Sequence, residues 1–166
     1  MLKTVKRKSF RASEAAFAIV ASQYNARYVD AMLEGAQAEL RQAGAKNVEV
    51  IRVPGAYEIP VVAARLAREG LQHASRLTHH ESLSAIICLG VILRGETVHA
   101  AHIGEAVSQA LMQIQLRYEI PVIHEVLLLE NEEQARARCL SRKHNRGAEA
   151  AQTALAMAQV MKKLRA

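Results

Sequence analysis

The sequence predicts an α/β fold in which a parallel sheet is covered by helices on both faces. Three observations predict it. Strand-like apolar runs and helix-periodic segments alternate four times along the chain, the pattern of units joined by right-handed crossovers. The apolar runs are continuous rather than alternating, as expected of strands buried on both faces. The 166 residues carry no internal repeat and no low-complexity linker, so one domain with a sizeable core accounts for them.

Each element follows in order. Residues 16–22, "AFAIVAS", form the first strand. Val29, Met32, Leu33, Ala36 and Leu40 then recur at helical spacing, and Gly44 supplies a C-terminal cap. Residues 48–53, "VEVIRV", read as the second strand. After "PGAYEIP" comes a short helix with Ile59, Val62, Ala63 and Leu66 on one face, stopped near Gly70; Pro60 suits its first turn. Residues 71–83 are polar, lack sustained periodicity and read as a surface loop. Residues 84–92, "SAIICLGVI", are the third strand. A long helix over 98–118 turns Ile103, Val107, Leu111 and Ile114 inward, and residues 122–129, "VIHEVLLL", are the fourth strand. Asn131 can cap a helix over 132–140, and an Ala-rich helix over 148–164 closes the chain. Residues 1–15 stand outside the pattern, as an extension or an added edge strand.

Composition narrows the function classes. With 4% aromatic residues and no Trp, Ala, Val, Ile and Leu must build the core. No apolar run is long enough to span a bilayer, and the basic N-terminus lacks a secretory apolar region. Cys88 and Cys139 form no Cys-x-x-Cys, so reduced thiols and a cytoplasmic location are expected. A net charge of +6 suits anionic small substrates better than nucleic acid, because no basic stripe is interleaved with aromatics.

In open α/β sheets, ligands bind outside the carboxyl ends of the strands. Those ends carry "SQYN", "PGAYE", "GVILRGETVH" and "ENEEQ". The chain lacks Gly-x-Gly-x-x-Gly, a phosphate loop ending in Gly-Lys-Ser/Thr, and Gly-x-Ser-x-Gly, which argues against dehydrogenases, P-loop nucleotidases and α/β-hydrolases. The Arg94–Thr97 loop precedes a helix N-terminus, where free N–H groups favour an anion; Thr97 can equally cap that helix. His99 would occupy the helix's first turn, facing the rim, where a neutral imidazole can accept or hand on a proton. A solvated histidine is the alternative. His99, His102 and Glu105 share a helical face, but a metal site would need a further ligand element. The His73, His79 and His80 group lies in the irregular loop. Tyr24 is core packing or a ligand platform, Glu58 a hydroxyl acceptor or a helix-dipole partner. His124 within a strand is a satisfied structural residue or a site group. The basic cluster over 136–146 solvates a helix face or binds phosphate.

The ordered set "SQYN", "VPGAYEIP", "LGVILRGETVH", "PVIHEVLLLENEEQARAR" and "HNRGAEAA" resembles the 6,7-dimethyl-8-ribityllumazine synthases of riboflavin biosynthesis over about residues 17–161. The resemblance implies a flavodoxin-like α/β/α sandwich with a four-stranded parallel sheet in residues 16–166. It implies condensation of 5-amino-6-(D-ribitylamino)uracil with 3,4-dihydroxy-2-butanone 4-phosphate, without cofactor or metal. It also implies pentamers, alone or in decamers or shells, with sites between subunits, and riboflavin synthase as a possible partner. By position, Tyr24 and Asn25 match the ring-stacking segment; Ala56, Tyr57 and Glu58 the ribityl-binding segment; Val91, Ile92 and Leu93 the ring-contacting strand end. Gly95, Glu96 and Thr97 match the phosphate loop and His99 the proton-transfer histidine. Arg138 matches the arginine holding phosphate from the neighbouring subunit, and Arg146 a basic residue near the pyrimidine.

Two departures stand out. His124 occupies a position that is often Phe, and Ala100 replaces an aromatic beside His99. They keep open a carrier that binds a flavin or lumazine without turnover, or a shell protein with a decayed site.

Overall fold

A computed structural model of the chain describes residues 12–74, 83–141 and 143–164. Four strands, β1 (Ala16–Ser22), β2 (Asn47–Val53), β3 (Leu83–Leu93) and β4 (Val122–Leu129), form one sheet of order β2-β1-β3-β4. Every pairing is parallel. This is the flavodoxin-like order, with its topological switch between β1 and β3.

The helices are α1 (Ala26–Gln42), α2 (Ile59–Ala74), α3 (His99–Tyr118), α4 (Glu132–Ala135) and α5 (Arg146–Leu164). The period-two geometry of the strands sends alternate side chains into two cores. Phe17, Ile19, Ala21, Ile87 and Leu89 pack under α1 and α5. Val20, Ile86, Cys88, Val122 and Val126 pack under α2 and α3 with Ile59, Val107 and Leu111. The central strands are buried on both faces, which is why they read as unbroken apolar runs.

Differences from the sequence expectations have local causes. The second helix is not short and does not stop near Gly70; it continues to Ala74. Gly70 answers a packing need instead, since a Cβ there would come within 3.2 Å of Leu83 Cβ at the start of β3. Residues 75–82, the rest of the expected loop, lie outside the described residues, as do His79 and His80. The helix expected over 132–140 is α4 followed by a wider π turn, Arg136–Leu140, and Asn131 caps it as expected, accepting from Gln134 N–H at 3.0 Å. Of residues 1–15, expected as an extension or an added edge strand, residues 1–11 lie outside the described residues. Ala12 is buried and donates its N–H to Ala43 O at 2.8 Å.

The α1–α5 contact depends on "HNRG". Asn145 Nδ2 donates to Ala31 O (3.0 Å) and Cys139 O (2.7 Å), while its Oδ1 accepts from Ala148 N–H at 3.0 Å. One side chain thus caps α5 and ties it to α1. At Gly147 a Cβ would lie 1.9 Å from Met32 O. Gly147→Ala should therefore lower stability by about 3 kcal/mol or more, read as a lower urea midpoint. Gly104→Ala, where nothing lies nearer than 3.6 Å, should match wild type or gain up to about 1 kcal/mol from helix propensity. Equal midpoints for the two variants would refute the close-approach argument.

Candidate active site

At the switch point β3 runs past the end of β1. Ala21 pairs with Leu89, and β3 continues to Leu93 with β4 alone beside it. The carbonyls on the uncovered edge need donors. Asn25 supplies one: its Nδ2 donates to Val91 O at 2.8 Å. Its backbone is left-handed (φ 56°), a conformation Asn tolerates better than most residues. On the other side Gln23 N–H and Tyr24 N–H donate to Val53 O and Pro54 O, extending the β2 contact. These bonds hold Tyr24 at the rim, 72% exposed.

The overhang forms one wall of an open cavity of about 850 Å³. Val91, Ile92 and Leu93 line that wall; Tyr24 and Asn25 line the β1 side. The turn after β2 contributes Gly55, Ala56, Tyr57 and Glu58. Gly95, Thr97 and His99 close the side beneath the start of α3. Glu58 Oε2 accepts from Gly55 N–H at 2.8 Å, which fixes the carboxylate within its own turn while leaving the side chain exposed.

Thr97 does not cap α3. Val98 takes the N-cap position, no side chain accepts from the first turn, and Val98 O receives Ala101 N–H and His102 N–H. The first amides of α3 are thus open to an anion. Arg94 does not enter the cavity; its Nη1 is held by Glu130 at 2.9 Å and 3.0 Å. Glu96 is exposed and off the wall. Ala100, His102, Ile103 and Ala106 are wall residues that the motif reading did not assign to the site. For His102, Ile103 and Ala106, their places three, four and seven residues after His99 were the available signal. Glu105 is not on the wall, and no group of three or more possible metal-ligating side chains occurs among the described residues.

His124, Arg138 and Arg146 are not brought to this cavity. His124 projects from β4 toward α3. Ser108 Oγ lies 2.7 Å from Gly104 O and hydrogen-bonds His124 Nε2 at 2.8 Å, which ties the imidazole to α3. Arg138 is exposed on the π turn. Arg146 is clamped: Nε donates to Glu125 Oε1 at 2.6 Å and Nη1 to Glu149 Oε2 at 2.7 Å. No Lys or Arg among the described residues lines the cavity.

A family model described as 6,7-dimethyl-8-ribityllumazine synthase matches residues 14–162. The chain belongs to this family. Curated relatives of that name include one from Stenotrophomonas maltophilia (strain R551-3), 41% identical over 152 residues, covering 90% of this chain and 91% of the relative. Another, from Xanthomonas euvesicatoria pv. vesicatoria (strain 85-10), is 40% identical over 156 residues, 93% of this chain and 94% of its own. The cavity of this family member lies at the sheet's switch point, at the carboxyl ends of the strands. Among the described residues, no helix is long and apolar enough to cross a membrane. Both cysteines are free and buried, and burial pushes their thiols up, Cys139 to about 11.

Burial also raises the Glu125 carboxyl above its ordinary 4.5, against the opposing pull of Arg146. Folding then takes up a proton in the window just above 4.5. The contribution of this group is full below that value and is lost as pH rises through the raised native one. Wild type should therefore lose stability relative to Glu125→Gln as pH climbs from 4.5 toward neutrality. Urea unfolding at fixed protein concentration across that range checks it; parallel pH curves would mean that folding does not shift Glu125.

Proposed function

We propose that the chain condenses 5-amino-6-(D-ribitylamino)uracil with 3,4-dihydroxy-2-butanone 4-phosphate in the cavity at the switch point. The carrying observation is that this one cavity joins a protruding aromatic, a carboxylate, an uncapped helix start and His99. Tyr24 offers a face for the pyrimidine, and Glu58 accepts from ribityl hydroxyls. The amides near Gly95 and Thr97 receive the phosphate. The substrate's amine attacks the ketone to form an imine, and water leaves. His99 then moves protons through phosphate elimination, ring closure by the ribitylamino nitrogen onto the remaining carbonyl, and loss of a second water, to give 6,7-dimethyl-8-ribityllumazine, the transferase step of riboflavin biosynthesis. No cofactor enters this chemistry.

A cavity without Lys or Arg is a poor phosphate site by itself. In this reading Arg138, His124 and Arg146 complete the cavity of a neighbouring subunit, in a homo-oligomer built on pentamers. They lie on or beside β4, the edge strand, whose outer side has no sheet partner among the described residues. Decameric or shell assembly, a contact with riboflavin synthase and a cytoplasmic location belong to the same reading. The buried free thiols support the last.

Fluorescence of the product, formed from both substrates, tests the reaction. A protein that binds but does not turn them over is a carrier. His99→Ala should slow turnover by about 10²–10⁴-fold, the usual worth of one acid–base group. Measurable activity should remain, because holding two reactants together can supply about 7–11 kcal/mol. A wild-type rate would remove His99 from the role. Arg138 is exposed, so Arg138→Ala should leave the unfolding midpoint unchanged and raise KM for the ketone phosphate about tenfold or more. KM for the pyrimidine should hold. Unchanged kinetics toward the phosphate would take Arg138 out of the site.

A further inference from the structure

The acids around Arg146 have no part in the reading above. Glu125 lies on β4 facing α5, and only 6% of it is exposed. A buried carboxylate is costly unless it is matched, and a buried ion pair is weak evidence for added stability. What the pair fixes here is direction. Glu125 takes Nε of Arg146 and Glu149 takes Nη1, so two of the three guanidinium nitrogens are engaged. Nη2 has no partner among the described residues, and the Arg146 side chain remains 25% exposed. The planar fork is therefore locked with one edge free.

The two acids are not equivalent. Glu149 is three residues along the same helix and travels with Arg146. Glu125 belongs to the sheet, so it alone ties the guanidinium to the frame that carries His124. Burial by itself would weaken the charge on Arg146, but the Glu125 and Glu149 carboxylates outweigh that and hold it protonated.

We infer that Glu125 is a positioning residue: it holds Arg146 so that the free Nη2 edge is presented to a carbonyl oxygen of the pyrimidine bound in the neighbouring subunit's cavity. This rests on the intersubunit reading above. A uracil carbonyl is an acceptor without charge, so a fixed N–H direction matters more than a mobile positive charge.

The test is steady-state kinetics on wild type, Glu125→Ala, Glu125→Gln, Arg146→Ala and the Glu125→Ala/Arg146→Ala double variant, with an unfolding midpoint for each. Glu125→Ala should raise KM for the pyrimidine about tenfold, with KM for the ketone phosphate unchanged. Glu125→Gln keeps an oxygen for Nε and should restore most of that loss. In the Arg146→Ala background the Glu125 change should add less than about twofold, because it acts through the arginine. If Glu125→Ala folds poorly, Glu125→Leu fills the space without an acceptor and carries the same expectation. Wild-type-like KM in the folded variants, a rise in both KM values that tracks a lower midpoint, or multiplicative effects with Arg146→Ala would overturn the inference alone. A wild type that forms no lumazine would overturn the functional reading and this inference with it.

Discussion

The cavity exists because β3 outruns β1. A parallel sheet must satisfy its backbone groups to the last residue, and a strand that overhangs its neighbour leaves carbonyls without ladder partners. Asn25 meets that demand at Val91 O from a left-handed turn, standing in for the missing β1 residue. The same turn points the chain into α1, with Tyr28 N–H and Val29 N–H returning to Asn25 O. One residue thus ends a strand, starts a helix and leaves Tyr24 standing over the exposed end of β3. Without that bridge the two walls of the site would have no fixed distance between them.

The polar chemistry is divided between two places. The cavity holds hydrogen-bond acceptors, imidazoles and open amides, whereas the strong cations near β4 face elsewhere. Arg94, the one arginine in the loop itself, is neutralised by Glu130 and shapes the loop rather than meeting a ligand. The first turn of α3 then carries the anion-binding duty within the chain, at partial-charge strength. In the intersubunit reading proposed above, this separation is the physical reason for a neighbouring subunit to supply the cations.

Much of this was legible in the sequence, and the illegible parts have a common cause. β1 and β3 announced themselves because double burial leaves no polar alternation to confuse with another element. Tyr24, Glu58 and His99 could be placed because strand ends converge on one rim. Gly70 misled because a glycine required by a distant contact looks the same as one that ends a helix. Thr97 stayed open between a helix cap and an anion-loop residue because a capping side chain and its neighbour differ only in backbone angles. His102 was set aside with the metal reading, although its spacing from His99 already put it on the same wall. The partners of Arg146 were invisible, since Glu125 lies 21 residues away and meets it only through the packing of α5 on β4.

That packing is set far from the chemistry. Asn145 fastens the start of α5 to α1 and to the π turn through three hydrogen bonds. Gly35 and Gly147 leave the room: a Cβ at Gly35 would meet Asn145 Oδ1 at 2.5 Å, and one at Gly147 would strike the Met32 carbonyl. Helix interiors normally lose stability from glycine. Here the close crossing that glycine allows determines where residue 146 emerges relative to β4. A helix held farther out would carry Arg146 away from Glu125, and the buried carboxylate would lose the cation that offsets its desolvation. The small residues of "HNRG" and α1 therefore govern the direction of a charged side chain, and the polar geometry of the site follows from how closely two helices pack.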